Sequence, residues 1–288
     1  MSQPLRVGSL FAGIGGFELG LEMTGHFKTV WQVEQNTYAS RVLAKHWPDV
    51  ARHDDICTFP TDGVDWSCDM ICGGWPCQDL SYAGAGAGLD GQRSGLFFEL
   101  VRVVRVLGPR YVVLENVAAL LNRGMGDVLG LLASIGYDVQ WHCISASAVG
   151  APHKRDRVFI IADRRRERLE RIEQGGATRR ATRRVGRESA GLDSMPALRG
   201  LHLHDVSSFA RLGVRLSGGR RSDTTRLEYG PIFGSESWPA LTEPVRVANG
   251  VPNRMDRLKC LGNAVVPQVA RLVGEIIWRL HDGQNEPE

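Results

Sequence analysis

The strongest constraint on the fold is a regular alternation of strand and helix patterns through the first 162 residues. Short apolar runs predict the strands Leu5–Phe11, Thr29–Glu34, Asp69–Gly73, Tyr111–Glu115, Tyr137–Ser145 and Arg157–Ala162. Apolar residues at helical spacing predict helices up to Met23 and over Tyr38–Trp47, Gly95–Leu107 and Gly126–Ile135. Apolar strands separated by helices indicate an α/β domain, in which a mostly parallel sheet is covered by helices on both faces.

A basic segment interrupts this alternation. The pattern stops after Ala162 and resumes near Arg254, and a closing helix is predicted over Val265–Leu280. From Arg164 to Gly230 the chain has 16 arginines, no lysine and 8 acidic residues, a net charge of +8, while the remainder carries −5. Because arginine binds phosphates and guanine edges bidentately, the segment predicts a surface for nucleic acid, with a solvated, poorly ordered insert as the alternative.

Composition excludes several other classes of protein. No apolar run approaches 18 residues, so we expect no membrane-spanning helix. The N-terminus lacks a signal-peptide pattern, and six cysteines are too few for a disulfide scaffold of this length. We therefore expect a cytoplasmic protein with reduced thiols.

A glycine turn after the first predicted strand, Phe11–Phe17, is typical of a cofactor site. Glycines let the backbone approach a ligand, and the following helix N-terminus offers free amides. Glu34 ends the second strand, where an acid suits the hydroxyls of a ribose, and Asp55 with Ile56 could clamp an adenine. The turn is not G-x-G-x-x-G, so it predicts an adenosine-containing cofactor, with a purely structural turn as the alternative.

A cysteine follows the third strand, in Pro76-Cys77-Gln78. This position, beyond the carboxyl end of a strand, suits a reactive thiol, whereas a buried structural cysteine is the alternative. The glycine-rich run after it, Gln78–Arg93, predicts a mobile loop that closes over a substrate. Zinc binding by Cys68, Cys72 and Cys77 is disfavoured because their spacing lacks the C-x-x-C form.

Two further motifs lie at the ends of other strands. Glu115 ends the strand that begins at Tyr111, where its carboxyl group can face Cys77 and protonate a ring nitrogen while a thiolate attacks the ring. Arg155 and Arg157 lie two positions apart, so in an extended chain their side chains point the same way.

Together and in this order, these motifs resemble the DNA (cytosine-5) methyltransferases. The similarity covers residues 5–162 and 258–281. It rests on Phe11–Phe17, Glu34, Asp55-Ile56, Pro76–Gln78, Arg93–Glu99, Glu115–Val117, Arg155, Arg157 and Gly262–Pro267. The resemblance implies the Rossmann-like fold of S-adenosylmethionine-dependent methyltransferases. It divides the chain into a catalytic domain, residues 1–162 and 257–288, and a target-recognition region, residues 163–256.

The resemblance also implies a role for each motif. Cys77 is the nucleophile that attacks carbon 6 of cytosine, and Glu115 hydrogen-bonds ring nitrogen 3. Arg155 and Arg157 have one of three roles: they hold the carbonyl of the base, hold a substrate phosphate, or favour the thiolate form of Cys77. The cofactor is S-adenosylmethionine, bound by Phe11, Gly13, Gly15, Glu34, Asp55, Ile56, Asn263 and Val265. The substrate is double-stranded DNA, from which the base is flipped out. No metal is implied, and we expect a monomer.

Three alternative hypotheses about the function compete with the one implied by the resemblance. An RNA cytosine-5 methyltransferase would share the chemistry, but the large basic insert favours DNA. A non-catalytic DNA- or cofactor-binding relative would not need Cys77 and Glu115, which are both present. A nicotinamide-dependent enzyme would carry G-x-G-x-x-G, which is missing from the turn. His153 and Asp79 depart from the residues usual in the family at these positions, which are glutamine and proline.

Overall fold

The computed structural model describes residues 3–76, 95–122, 124–164 and 252–282, and the backbone alone of residues 214–216 and 227–229. Seven strands form one sheet in the order β3-β2-β1-β4-β5-β7-β6. They are β1 (Leu5–Leu10), β2 (Phe27–Val33), β3 (Ala51–His53), β4 (Met70–Gly73), β5 (Tyr111–Val117), β6 (Asp138–Ser145) and β7 (Asp156–Asp163).

Most neighbouring strands run parallel, as the sequence predicts. Each of the pairs from β3 across to β5 is parallel, whereas β7 is antiparallel to both β5 and β6. The predicted fold class, a mostly parallel Rossmann-like sheet with helices, is confirmed. In the sheet, β7 lies between β5 and β6, although it follows both strands in the chain. Its position and its reversed direction were not predicted.

Helices cover both faces of this sheet. The α-helices among the described residues are α1 (Gly16–Glu22), α2 (Thr37–His46), α3 (Gly95–Leu107), α4 (Met125–Ser134), α5 (Arg254–Asn263) and α6 (Pro267–Asp282). Successive residues of β5 point to opposite faces: Tyr111 and Val113 pack in the core shared with α1 and α6, while Val112 and Leu114 pack in the core shared with α3 and α4. Burial on both faces explains why this strand is apolar throughout.

The last two helices, α5 and α6, have different environments. Judged by length and composition alone, the span Arg254–Asp282 could cross a membrane. A break at residues 264–266 separates the two helices, and Pro267 begins α6, a position that proline favours. Seven residues of α6 are buried in the core, which accounts for its apolar composition, whereas α5 buries none of its side chains.

The two predicted domain boundaries fall near the end of β7 and within α5. Strand β7 ends at Asp163, one residue beyond the predicted end of the first segment, and the predicted boundary at 257 falls inside α5. Within the predicted recognition region the structure describes an antiparallel pair, β8 (Val214–Leu216) and β9 (Leu227–Tyr229). The division into two domains remains a prediction.

Candidate functional site

The carboxyl ends of the parallel strands meet at one edge of the sheet, where ligands bind in open α/β folds. The glycine turn leaves β1 there, and Glu34 follows β2 directly. Gly74 follows β4, and Glu115 lies near the end of β5. The fold therefore brings the predicted cofactor and catalytic motifs to a common edge.

The turn between β1 and α1 has a left-handed backbone at three positions. The φ angles are 55° at Phe11, 57° at Gly13 and 86° at Gly15. A side chain at Gly15 would also collide with the ring of Trp47, whereas a Cβ at Gly13 would meet nothing within 4 Å. Gly15 is thus required for packing as well as conformation, while Gly13 leaves its backbone open at the predicted cofactor site.

Glu34 stabilises this turn through its carboxylate. The Gly13 N–H donates to Oε2 at 2.7 Å, and the Asn36 N–H donates to Oε1 at 2.7 Å. A carboxylate has about four acceptor positions, so Glu34 keeps capacity for the hydroxyl groups of a ligand. The structural role of Glu34 was not predicted, because the sequence does not show which amides face its side chain.

The predicted adenine clamp lies on the neighbouring chain segment. The Glu34 N–H donates to the carbonyl of His53 at 3.0 Å, so the loop that holds Asp55 starts beside Glu34. Oδ1 of Asp55 accepts from the N–H of Cys57 at 2.9 Å. Ile56 is 4% exposed and belongs to an apolar core cluster, so only a small part of its surface can meet a ligand.

Glu115 and Arg157 form a partly buried ion pair. Nε of Arg157 lies 2.8 Å from Oε1 of Glu115, and Glu115 is 8% exposed. Burial raises the pKa of Glu115 above its usual value, although the charges of Arg157 and Arg155 oppose that rise. The pair can therefore present a carboxyl group that retains a proton more readily than an exposed glutamate.

Arg155 differs from Arg157 in backbone and in contacts. Its φ is 78°, and it precedes β7, so the premise that both arginines lie in an extended chain is wrong. Nη2 of Arg155 donates to the carbonyls of Gly262 at 2.7 Å and Ala264 at 2.8 Å. Both arginines nevertheless line one pocket with Glu115, because antiparallel pairing of β7 with β5 brings this end of β7 beside Glu115.

Cys77 and the loop Gln78–Arg93 lie outside the described residues. The chain that leads to Cys77 is described as far as Pro76. A Cβ at Gly74 would lie 2.8 Å from Oε2 of Glu115, and Nδ2 of Asn116 donates to the carbonyl of Trp75 at 3.2 Å. This segment is therefore held against the end of β5, a contact of Asn116 and Trp75 that sequence reasoning missed.

Two other cysteines lie close to β4: Cys68 precedes the strand, and Cys72 lies within it. Burial raises the pKa of Cys68 to about 12, and that of the fully buried Cys72 well above its usual value. Both thiols are therefore protonated at neutral pH when no metal is bound. Among the described ranges there is no group of three or more histidine, cysteine or acidic residues that could hold a metal ion.

Residues 262–266 comprise the last two residues of α5 and the break before α6, and we call them the return segment. This segment borders both parts of the site. A side chain at Gly16 would collide with the carbonyl oxygen of Val265. Val265 and Val266 also line the pocket that contains Glu115 and both arginines. Asn263 ends α5 beside them. The return segment thus touches the glycine turn on one side and the catalytic candidates on the other.

Comparison with known families identifies this arrangement. The family model of the C-5 cytosine-specific DNA methylases matches residues 5–193, well over half of the chain. The chain belongs to this family. The resemblance inferred from its motifs is confirmed. Residues 5–193 of this C-5 cytosine methylase include all the described strands of the sheet and the Glu115–Arg157 pair.

Several type II methyltransferases are similar to this C-5 methylase. M2.BsuMI of Bacillus subtilis is 39% identical over 166 residues, which cover 55% of this chain and 42% of that protein. M.Bsp6I of a Bacillus species is 34% identical over 166 residues, which cover 56% and 52% of the two chains. M.AquIA of Picosynechococcus is 32% identical over 176 residues, which cover 54% and 71%. The chain therefore spans about half the length of the first two relatives.

Among solved structures, a triple mutant of DNMT2 from Spodoptera frugiperda matches with a TM-score of 0.48 and 25% sequence identity. The match covers 56% of this chain and 50% of that chain.

Proposed function

We propose that this C-5 methylase transfers the methyl group of S-adenosylmethionine to carbon 5 of cytosine within a short sequence of double-stranded DNA. The observation that carries the proposal is the Glu115–Arg157 pair, buried at the end of β5 beside the chain that leads to Cys77. A buried carboxyl group and a strand-end thiol are the two groups that addition to a cytosine ring needs.

The described residues fit an adenosine-containing cofactor. The open backbone at Gly13 lies directly beside the carboxylate of Glu34, which retains acceptor capacity. In this proposal Phe11, Gly13, Gly15, Glu34, Asp55, Ile56, Asn263 and Val265 hold S-adenosylmethionine. When bound, this cofactor supplies an electrophilic methyl group on a sulfonium.

The chemistry begins at Cys77. Its thiolate adds to carbon 6 of cytosine, and the electron pair of the broken ring double bond makes carbon 5 nucleophilic. Carbon 5 then takes the methyl group, whose bond to the sulfonium sulfur breaks and leaves a neutral thioether. A base removes the proton from carbon 5, and the thiolate leaves carbon 6. The ring regains its double bond, and Cys77 is restored.

Glu115 stabilises the charge that this addition creates. Electron density moves toward ring nitrogen 3, and a carboxyl group with a raised pKa can donate a hydrogen bond there. Arg157 orients the carboxyl group through its 2.8 Å contact and is close enough to Glu115 to hold the base carbonyl as well. Removal of either side chain should therefore lower turnover more than cofactor affinity.

Access to the target atom requires a flipped base, because carbon 6 is hidden in a duplex. We assign closure over the base to the loop Gln78–Arg93 and sequence recognition to residues 163–256. Both assignments rest on the sequence, since most of these residues lie outside the described ranges. A cytoplasmic monomer completes the proposal. The type II names of the relatives support a place in a restriction-modification system.

The proposal is tested by expression in a methylation-deficient bacterium followed by base-resolution bisulfite sequencing. We expect protected cytosines within one short motif. Complete conversion with well-expressed, folded protein would contradict a DNA substrate, and methyl transfer to RNA would then identify the RNA alternative.

The role of Cys77 is tested by Cys77→Ala. We expect methyl transfer to fall to background while affinity for S-adenosylmethionine stays within about twofold, because the thiol attacks the base and not the cofactor. DNA that contains 5-fluorocytosine should trap a covalent complex with the wild type but not with the variant. Cys143→Ala, in β6, serves as the control and should keep its turnover. Turnover or trapping by Cys77→Ala would refute the assignment.

A further inference from the structure

The return segment, residues 262–266, is held by a single arginine from the catalytic side. Nη2 of Arg155 carries two hydrogens, and it donates to the carbonyls of both Gly262 and Ala264, at 2.7 and 2.8 Å. These carbonyls lie at the C-terminal end of α5, where a helix leaves carbonyl groups without partners and favours a positive charge. The two bonds are charge-assisted and so stronger than neutral ones.

The glycine turn contacts the same segment from the opposite side. At Gly16 the backbone approaches the carbonyl oxygen of Val265 so closely that no side chain fits between them. The contact continues at Gly20, which packs against the carbonyl oxygen of Pro267. Any movement of the return segment therefore changes the space beside the turn.

The side chains of α5 have little part in holding the start of this segment. Helix α5 buries none of its side chains, so packing contributes little to its position. The guanidinium of Arg157, by contrast, is directed to Glu115 and to the carbonyl of Asp156. Two arginines that line the same pocket thus hold different partners: one holds a carboxylate and the other holds a backbone segment.

We infer that Arg155 is a positioning residue that holds the return segment against the glycine turn. It thereby sets the affinity for the cofactor, although its own side chain does not contact the cofactor. The inference deepens the proposed function and rests on it for the identity of the cofactor as S-adenosylmethionine. It replaces the expectation that Arg155 shares the role of Arg157 toward the base. Because Val265 also faces Glu115, the same segment couples the cofactor site to the base pocket.

The test compares cofactor binding by Arg155→Gln, Arg155→Lys and the matched control Arg157→Lys, measured by calorimetry with S-adenosylmethionine and full-length protein without DNA. Loss of both charge-assisted bonds in Arg155→Gln should weaken binding by about tenfold or more. A lysine can retain part of the interaction, so Arg155→Lys should weaken binding by about threefold. Arg157→Lys should stay within about twofold, because its partner lies outside the cofactor site.

Steady-state kinetics separate positioning from catalysis. Both Arg155 variants should raise the KM for S-adenosylmethionine more than they lower kcat, and Arg157→Lys should do the reverse.

Melting curves identify folded variants, and if Arg155→Gln does not fold, Arg155→Lys alone decides. Wild-type affinity in every folded Arg155 variant would overturn the inference, as would equal losses in Arg155→Lys and Arg157→Lys. Failure of the wild type to bind S-adenosylmethionine would instead overturn the proposed function, and the inference with it.

Discussion

At the scale of one residue, Glu18 shows how burial changes the protonation of a carboxyl group. The side chain lies in α1 and is fully buried, and Nε2 of Gln32 donates to its Oε1 at 3.4 Å. Burial raises the pKa of Glu18 from 4.5 to about 7, because a charged carboxylate is poorly solvated in the core. Between these two pKa values the folded protein therefore holds a proton that the unfolded chain has released.

This difference predicts a pH-dependent gain in stability for Glu18→Gln. Below about pH 4.5 both folded and unfolded wild type hold the proton. Between about pH 4.5 and 7 only the folded state retains it, so the free energy of unfolding of the wild type falls by about 3 kcal/mol over this range. A glutamine has no such loss. The advantage of the variant over the wild type should grow by about 3 kcal/mol between about pH 4 and pH 8 in urea denaturation. An advantage that does not change with pH would contradict the raised pKa.

At the scale of elements, the packing of α1 on α6 depends on small residues. Gly20 of α1 lies against the carbonyl oxygen of Pro267 and the Cβ of Ala270, so the two helices approach closely. The buried face of α6 joins the same core as Phe17 and Leu21. This contact connects the first and last helices of the described α/β fold.

We therefore expect Gly20→Ala to lower the free energy of unfolding by about 1–3 kcal/mol, because the added methyl group overpacks the helix contact. Gly130→Ala is the matched control: Gly130 lies within α4, and a Cβ there meets nothing within 4 Å. That control should be more stable by about 0.5–1 kcal/mol, since alanine favours a helix interior over glycine. Equal stability of the two variants in chemical denaturation would show that the helices can separate at no cost.

At the scale of the whole molecule, charge is divided between two regions. The segment from Arg164 to Gly230 carries +8 and the rest of the chain −5. The acidic remainder repels phosphates, so the proposed binding of DNA is expected to depend on the basic segment. Because almost all of this segment lies outside the described residues, its role is tested in solution.

Substitution of the doublets Arg179-Arg180 and Arg220-Arg221 by glutamine should weaken DNA binding and reduce its salt dependence. Each lost phosphate contact lowers the slope of log affinity against log salt by about 0.9, so four contacts would change it by about 3 to 4. The slope is measured by fluorescence anisotropy of a labelled duplex over a range of salt concentrations.

The control removes two exposed arginines from the α/β domain, Arg105→Gln on α3 and Arg279→Gln on α6. This double variant should keep the wild-type slope, because these residues lie on the helical faces and not at the strand ends. If the doublets leave the slope unchanged, the phosphates are held elsewhere and the basic segment faces solvent.

The local sequence pattern was sufficient to predict the fold class and the order of the candidate functional residues along the chain. Apolar strands separated by helices predicted the layered sheet, and α3 has the predicted bounds Gly95–Leu107. Strand β3 was missed because Ala51–His53 has no apolar run, and it lies at the sheet edge with little burial. Glu34, Glu115 and Arg157 were identified because polar groups at strand ends stand out against apolar strands.

The sequence by itself therefore determined the α/β architecture, the membership of the family and the candidates for chemistry, because periodicity and motif order are properties of the chain. Only the tertiary structure decided that β7 runs antiparallel, that Arg155 has a left-handed backbone and that its guanidinium holds Gly262 and Ala264 instead of a carboxylate. Residues 155 and 264 are far apart in the chain, so no local pattern encodes their contact. It arises only when the sheet and the return segment pack together, and packing is a property of the whole fold.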